Sequence, residues 1–194
     1  ENELIDNINS NNKTHPALKT QLPEEIKFEK FEKLQTILEQ KSDIIVCGVS
    51  SIGIEWFVEQ ISKSYEKKLP IVLLTKGLSI LDNELLTLSD KIKNLLEKKG
   101  HSEINISAIK GPCLAAGLAN KMRTGTVIAN QDKNECQFLK NVISTNYYST
   151  EISEDISGVE ISGAIKNIYS MLIGASEGLS NSKATKELQS KYYL

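Results

Sequence analysis

Four short apolar runs, each followed by a longer amphipathic or polar stretch, leave this chain few folds to choose from. Residues 43–49 (DIIVCGV), 71–74, 104–109 and 126–129 are rich in β-branched or aliphatic side chains and too short to be read as helices, so each predicts a strand. The stretches between and after them predict helices at about 52–65, 90–99, 115–120 and 134–142. Strands alternating with helices make a mainly parallel sheet covered by helices. The unbroken apolar character of DIIVCGV predicts burial on both faces, as a parallel strand requires. From Ser157 onward the pattern is helical alone.

With 194 residues, 40% hydrophobic and 25% charged, the chain can bury a real core. Its net charge of −2 gives no reason to expect nucleic acid as a partner. No apolar run reaches the roughly 18 residues of a membrane span, and the polar start ENELIDNINSNNK is no secretory signal. A cytoplasmic protein without membrane insertion is the expectation. Cys47, Cys113 and Cys136 are an odd set without metal-ligand spacing, which predicts free thiols, and His15 and His101 read as surface residues with no metal site. Trp56 and Phe57 fall at helical spacing with Ile52 and predict core packing. Ser50 and Ser51 fit a helix cap or an approach to a ligand, with the cap favoured. The run Glu97-Lys98-Lys99 reads as a solvated helix end.

Chemistry concentrates at GVEISGAIKN, residues 158–167. Between Glu160 and Ser176 the only charged side chains are Glu160 and Lys166, while Ile161, Ile165, Ile168, Tyr169, Met171, Leu172 and Ile173 surround the axis. A helix apolar on all sides is normally buried, which predicts Lys166 inside the protein or at the floor of a cleft, with a depressed pKa suited to proton transfer. A lysine that snorkels to the surface is the competing reading. Ser157-x-x-Glu160 has capping-box spacing, which accounts for Glu160 without catalysis. The small residues along this helix, Gly158 and Gly163 among them, predict close packing or room for a ligand. Lys166 and Asn167 project about 100° apart and line one broad site together.

Upstream, the second strand ends in Thr75-Lys76-Gly77 and the third in Gly111-Pro112-Cys113-Leu114-Ala115. Ligands of open α/β sheets bind beyond the carboxyl ends of the strands, where these turns lie. Glycine there permits close backbone approach, and lysine supplies positive charge for phosphate or carboxylate.

In order, LLTKG at 73–77, GPCLA at 111–115 and GVEISGAIKN at 158–167 resemble the NAD(P)-dependent glycerol-3-phosphate dehydrogenase family. TGTVIA at 124–129 and the Tyr147-Tyr148 stretch before Asp155 also resemble it, over roughly residues 43–179. The resemblance implies an α/β fold: a partial Rossmann-type parallel sheet followed by an all-helical C-terminal domain, both incomplete, with 1–150 as the dinucleotide-binding part and 151–194 as the start of the helical substrate domain. It implies interconversion of dihydroxyacetone phosphate and sn-glycerol 3-phosphate, with NAD or NADP as cofactor and a phosphorylated triose as partner. Lys166 is then the catalytic lysine and a substrate contact. Lys76 serves substrate and cofactor, and as a neighbouring cation would further depress an amine's pKa. Gly111, Cys113 and Asn167 contact substrate, and Ala115 contacts cofactor. Cys113 stands where the family often has serine, and a thiol is the weaker donor. Nucleophilic chemistry at Cys113 is disfavoured, since no histidine lies near it in sequence.

None of the eleven glycines stands two residues from another, so no G-x-G-x-x-G fingerprint occurs. The expectation is therefore a chain that starts inside the nucleotide domain. Asn181-Ser182-Lys183-Ala184 resembles the family's NxKA segment, whereas its GLGD and Ser-Arg-Asn phosphate motifs do not occur. The alternatives are a 6-phosphogluconate- or ketopantoate-type reductase, disfavoured by the GAIKN context, and a non-catalytic Rossmann-like metabolite-binding fragment. Preference between NADH and NADPH is left open, as is pairing of two copies into a homodimer through the helical part.

Overall fold

The computed structural model describes residues 2–180 apart from residue 82. Helix α1 (Asn2–Ser10) and a two-residue hairpin, β1 (Thr14–His15) with β2 (Thr20–Gln21), lead into α2 (Leu34–Lys41). Then come β3 (Ile45–Cys47), α3 (Ile54–Ile61), β4 (Ile71–Leu73), a hairpin of β5 (Leu78–Leu81) and β6 (Glu84–Thr87), and α4 (Leu88–Lys98). The chain continues through β7 (Ile106–Lys110), α5 (Ala115–Ala119), β8 (Thr124–Ala129), α6 (Lys133–Ile143), β9 (Tyr148–Ser153) and α7 (Ile156–Ser180).

Five strands form the main sheet in the order β3-β4-β7-β8-β9. Neighbours β3/β4, β4/β7 and β8/β9 are parallel, with Ile45 beside Ile71 and Ile71 beside Ile106. The parallel expectation needs one correction: β8 runs antiparallel to β7, pairing Lys110 with Val127. A parallel crossover requires a covering helix, and α5 is a single short turn, so the chain reverses instead.

Side chains alternate across each strand and fill two core layers. Ile71 and Leu73 join Cys47, Ile54, Val58, Ile92 and Leu96 on the face covered by α3 and α4, whereas Val72 joins Ile109, Ile128, Cys136 and Leu139 on the face of α6. Thr87 caps α4 by accepting from the Asp90 amide, and Asp132 caps α6 by accepting from that of Asn134. Asn130, buried at the end of β8, donates to the Ile106 carbonyl and to Ser107, which pins β8 to β7.

Three expectations change. Trp56 is 49% exposed and its ring meets Phe31 at 5.0 Å, and Ile52 lies in the open, so of this trio only Phe57 reaches the core. A 3-10 turn at Ser51–Gly53 precedes α3, and Ser50 makes no side-chain cap. His101 is half-buried, its ring edge-on to Tyr65, and His15 is half-buried too. All three cysteines are free thiols. No helix among the described residues is long and apolar enough to cross a membrane. The NSKA segment and the residues after it lie outside the described residues.

Candidate active site

Because β3, β4 and β7 run in the same direction, their carboxyl ends gather Val49, Thr75-Lys76-Gly77 and Lys110-Gly111 on one side of the sheet. Helix α7 packs across this edge against β7 and touches β5, β6 and β8. Asp155, not Ser157, starts α7: its Oδ1 accepts from the Gly158 amide at 2.8 Å. The Asp155 carboxylate lies directly over Gly158, in the space a Cβ would otherwise take.

Between sheet edge and helix lies a cavity of about 610 Å³, lined by Lys76, Lys110, Gly111 and Pro112 on one side and by Asp155, Gly158, Val159, Ser162, Gly163 and Lys166 on the other. The helical contributors recur at three- and four-residue spacing, which puts them on one face. That volume suits a small metabolite. Gly111 sits where a Cβ would come within 2.8 Å of the Gly125 carbonyl oxygen and the Thr126 Cα, both backbone, so close strand contact bars any side chain there. Gly77 has φ +135°, a conformation that favours glycine and turns the chain directly after Lys76.

Lys76, Gly111 and Lys166, distant in sequence, thus share one cavity. Asn167 is exposed and points off the lining face. Cys113 is half-buried and outside the lining, and Ala115 lines a separate cavity with Leu18, Pro23 and Tyr147. The prediction that Lys166 is buried is corrected: Lys166 is exposed at the cavity edge, and Ile168, Met171, Leu172 and Ile173 beyond it are 56–73% exposed. Only the first turns of α7 meet the sheet, so apolar composition did not translate into burial along its length.

The buried lysine of the cavity is Lys110, which lies one residue beyond the strand expected to end at Ile109. It is 4% exposed, and its Nζ donates to the carbonyls of Leu73 (3.1 Å) and Thr75 (2.8 Å). Burial pulls its pKa from the usual 10.5 down to about 8; the Glu160 carboxylate opposes that shift, and the Lys76 charge adds to it. A signal was available. Lys110 directly continues the apolar run at 104–109, and every residue of β7 is buried, so a side chain on either face of this strand lies inward.

Glu160, expected in a capping box, is instead fully buried and accepts from the Ser89 amide and hydroxyl at the start of α4. Burial raises its carboxyl pKa, while the Ser89 bond and Lys110 resist the change. Thr75 extends the network, its hydroxyl donating to the Val49 carbonyl at 2.6 Å. Among the described residues no cluster of three or more metal-ligating side chains occurs.

The donor set fits an anionic substrate and the reacting end of a nicotinamide cofactor: cations on both walls and a side-chain-free strand turn between them. The glycine-rich pyrophosphate cradle is not among the residues of this chain.

Residues 1–136 match the family model described as the N-terminus of NAD-dependent glycerol-3-phosphate dehydrogenase. The NADP(+)-dependent glycerol-3-phosphate dehydrogenase of Archaeoglobus fulgidus is 32% identical over 152 residues, which cover 78% of this chain and 44% of that protein. A glycerol-3-phosphate dehydrogenase [NAD(P)+] of Clostridium botulinum is 27% identical over 187 residues, 95% of this chain and 53% of that one. The glycerol-3-phosphate dehydrogenase structure from Coxiella burnetii shares the fold, with a TM-score of 0.77 at 20% identity over 95% of this chain and 54% of that one. The chain spans about half the length, or less, of these curated relatives. Since the family match takes in well over half of its residues, the chain belongs to the NAD-dependent glycerol-3-phosphate dehydrogenase family.

Proposed function

We propose that the intact protein interconverts dihydroxyacetone phosphate and sn-glycerol 3-phosphate with NADH or NADPH. The observation that carries this reading is the convergence of Lys76, Gly111 and Lys166 on one cavity at the carboxyl ends of parallel strands. When bound, the reduced nicotinamide supplies the hydride for the substrate C2. The residues of the chain bind, orient and move the proton.

Lys166 gives a proton to the carbonyl oxygen as C2 is reduced, and takes it back in the oxidative direction. Its exposed position, at the cavity edge, lets its long stem swing the ammonium group inward. Lys76, from the opposite wall, balances negative charge on substrate and cofactor. Gly111 admits the substrate close to the backbone, with Cys113 and Asn167 as outer contacts and Ala115 on the cofactor side. In the same reading, residues 1–150 belong to the dinucleotide-binding part and 151–194 begin the helical substrate domain. A cytoplasmic location and pairing of copies through the helical part also belong to it.

The test is turnover by the intact protein, followed as nicotinamide absorbance with dihydroxyacetone phosphate and each cofactor. The expected result is oxidation that depends on both substrate and cofactor. Cofactor binding without turnover would overturn the reading and favour a binding protein or a different substrate.

A further inference from the structure

Three lysines line the cavity, and only two of them have an assigned part. Lys110 carries a charge into a site that is 4% exposed, at a desolvation cost that its contacts must offset. Its contacts show what that charge holds. Nζ donates to the last carbonyls of the β4 strand end, Leu73 and Thr75, and Thr75 directly precedes Lys76. Its stem lies against Gly163: a Cβ there would come within 3.1 Å of the Lys110 Cγ and Cδ, so α7 approaches as closely as glycine allows. Lys166 follows Gly163 by one turn on the same face of α7. One side chain therefore touches both the turn that carries Lys76 and the helix face that carries Lys166.

We infer that Lys110 is a positioning residue: its ammonium group fixes the Thr75-Lys76-Gly77 turn while its stem seats α7, setting Lys76 and Lys166 at their separation across the cavity. The titratable groups that face it are Glu160 from α7, Lys76 from the turn after β4 and the Cys47 thiol from β3, whose own pKa burial pushes up. Glu160 is itself held by Ser89 of α4, so the charge on Lys110 is balanced from the helix it seats. Proton loss from Lys110, centred at about pH 8, weakens its hold on the two carbonyls. The consequence for turnover rests on the function proposed above; the consequence for the turn does not.

The experiment compares wild-type intact protein with Lys110→Met and Lys110→Arg. Methionine keeps the stem and removes the charge, whereas arginine keeps a charge that does not titrate in this range. Peptide-resolved hydrogen exchange reports on residues 73–77, and pH profiles of kcat and kcat/KM with dihydroxyacetone phosphate report on turnover. Lys110→Met is expected to speed exchange at 73–77 and at the start of α7 but not in α6, and to lower kcat about tenfold, the scale of one lost buried hydrogen bond from a charged group. Lys110→Arg is expected to restore slow exchange and most of kcat, and to remove the decline in activity that the wild type shows as pH rises through about 8.

Wild-type exchange and kcat in Lys110→Met would overturn the inference. So would an alkaline decline that is unchanged in Lys110→Arg, or faster exchange throughout Lys110→Met with no recovery in Lys110→Arg. If the wild type shows no turnover, the proposed function falls, and exchange at 73–77 alone still decides for or against the positioning role.

Discussion

The sheet wall and the helix wall of the cavity treat their lysines in opposite ways. Lys110 on β7 is 4% exposed, tied to two carbonyls and balanced by Glu160. Lys166 on α7 is exposed, at the point where the helix leaves the sheet. The difference separates two jobs that a single lysine cannot do at once. A side chain locked onto backbone carbonyls is well placed to hold architecture, because two of its three N–H donors are committed there. A side chain with free donors at a cavity edge can meet a substrate and move a proton.

The largest expected effect sharpens this contrast. Lys166→Ala is expected to lower kcat by about a thousandfold, within the range of general acid–base contributions, while leaving unfolding stability within about 0.5 kcal/mol of wild type. Steady-state kinetics paired with urea denaturation checks both halves. An equal loss of stability would mean that Lys166 is architectural, and the contrast would break.

Glu160→Ala, on the helix, tests the sheet wall through the carboxylate that faces Lys110. It leaves the buried Ser89 amide and hydroxyl without their charged acceptor and removes the carboxylate that acts on Lys110, at a cost of about 3 kcal/mol in urea denaturation. A change under about 0.5 kcal/mol, ordinary for a surface site, would show that the buried carboxylate holds nothing.

Gly111→Ala follows, at about 2 kcal/mol, because the new Cβ meets backbone atoms of β8 at 2.8 Å and neither strand can yield without disturbing the ladder. Thermal denaturation reads it out.

The smallest effect is a pH dependence. With the folded pKa of Lys110 at about 8 against the ordinary 10.5, the unfolded chain holds a proton between these values that the folded chain has released. Stability contributed by this site therefore rises with pH across that window. Glu160 acts in the opposite sense at lower pH: its raised pKa means the folded chain holds the extra proton, so its contribution falls as pH climbs above about 4.5. Denaturant midpoints of wild type minus those of Lys110→Met, taken at both ends of the alkaline window, isolate the Lys110 part, and a flat difference would contradict it.

Much of this was legible in the sequence. The strands around residues 45–47, 71–73 and 106–110 follow from short aliphatic runs, and the turns after them from Lys76-Gly77 and Gly111-Pro112. That these turns lie on one edge follows from the parallel direction that the alternating pattern predicts, whereas the link to α7 comes only from the family resemblance. What escaped depends on three dimensions. The hairpin β5–β6 has no Asn-Gly or Asp-Gly signal, its turn residue Asn83 adopting φ +65° instead. The reversal at β8 depends on how short α5 is. Lys166 stood out because its sequence neighbours are apolar, yet burial is set by what packs against a helix, and its later turns meet no sheet. Lys110 is charged and abuts a glycine-proline turn, which reads as a strand end, yet it is the last residue of a strand buried on both faces. Glu160 had a local explanation in Ser157, and a partner 71 positions away took precedence.

The central claim is that Lys76 and Lys166 face one substrate across the cavity while Lys110 holds the frame. A crystal structure of the intact protein with dihydroxyacetone phosphate tests it most directly. The account predicts the carbonyl oxygen within hydrogen-bond reach of the Lys166 Nζ, Lys76 on the facing wall, and the Lys110 Nζ still on the Leu73 and Thr75 carbonyls. Substrate bound outside this cavity, or Lys110 released from the carbonyls to bind it directly, would contradict the account.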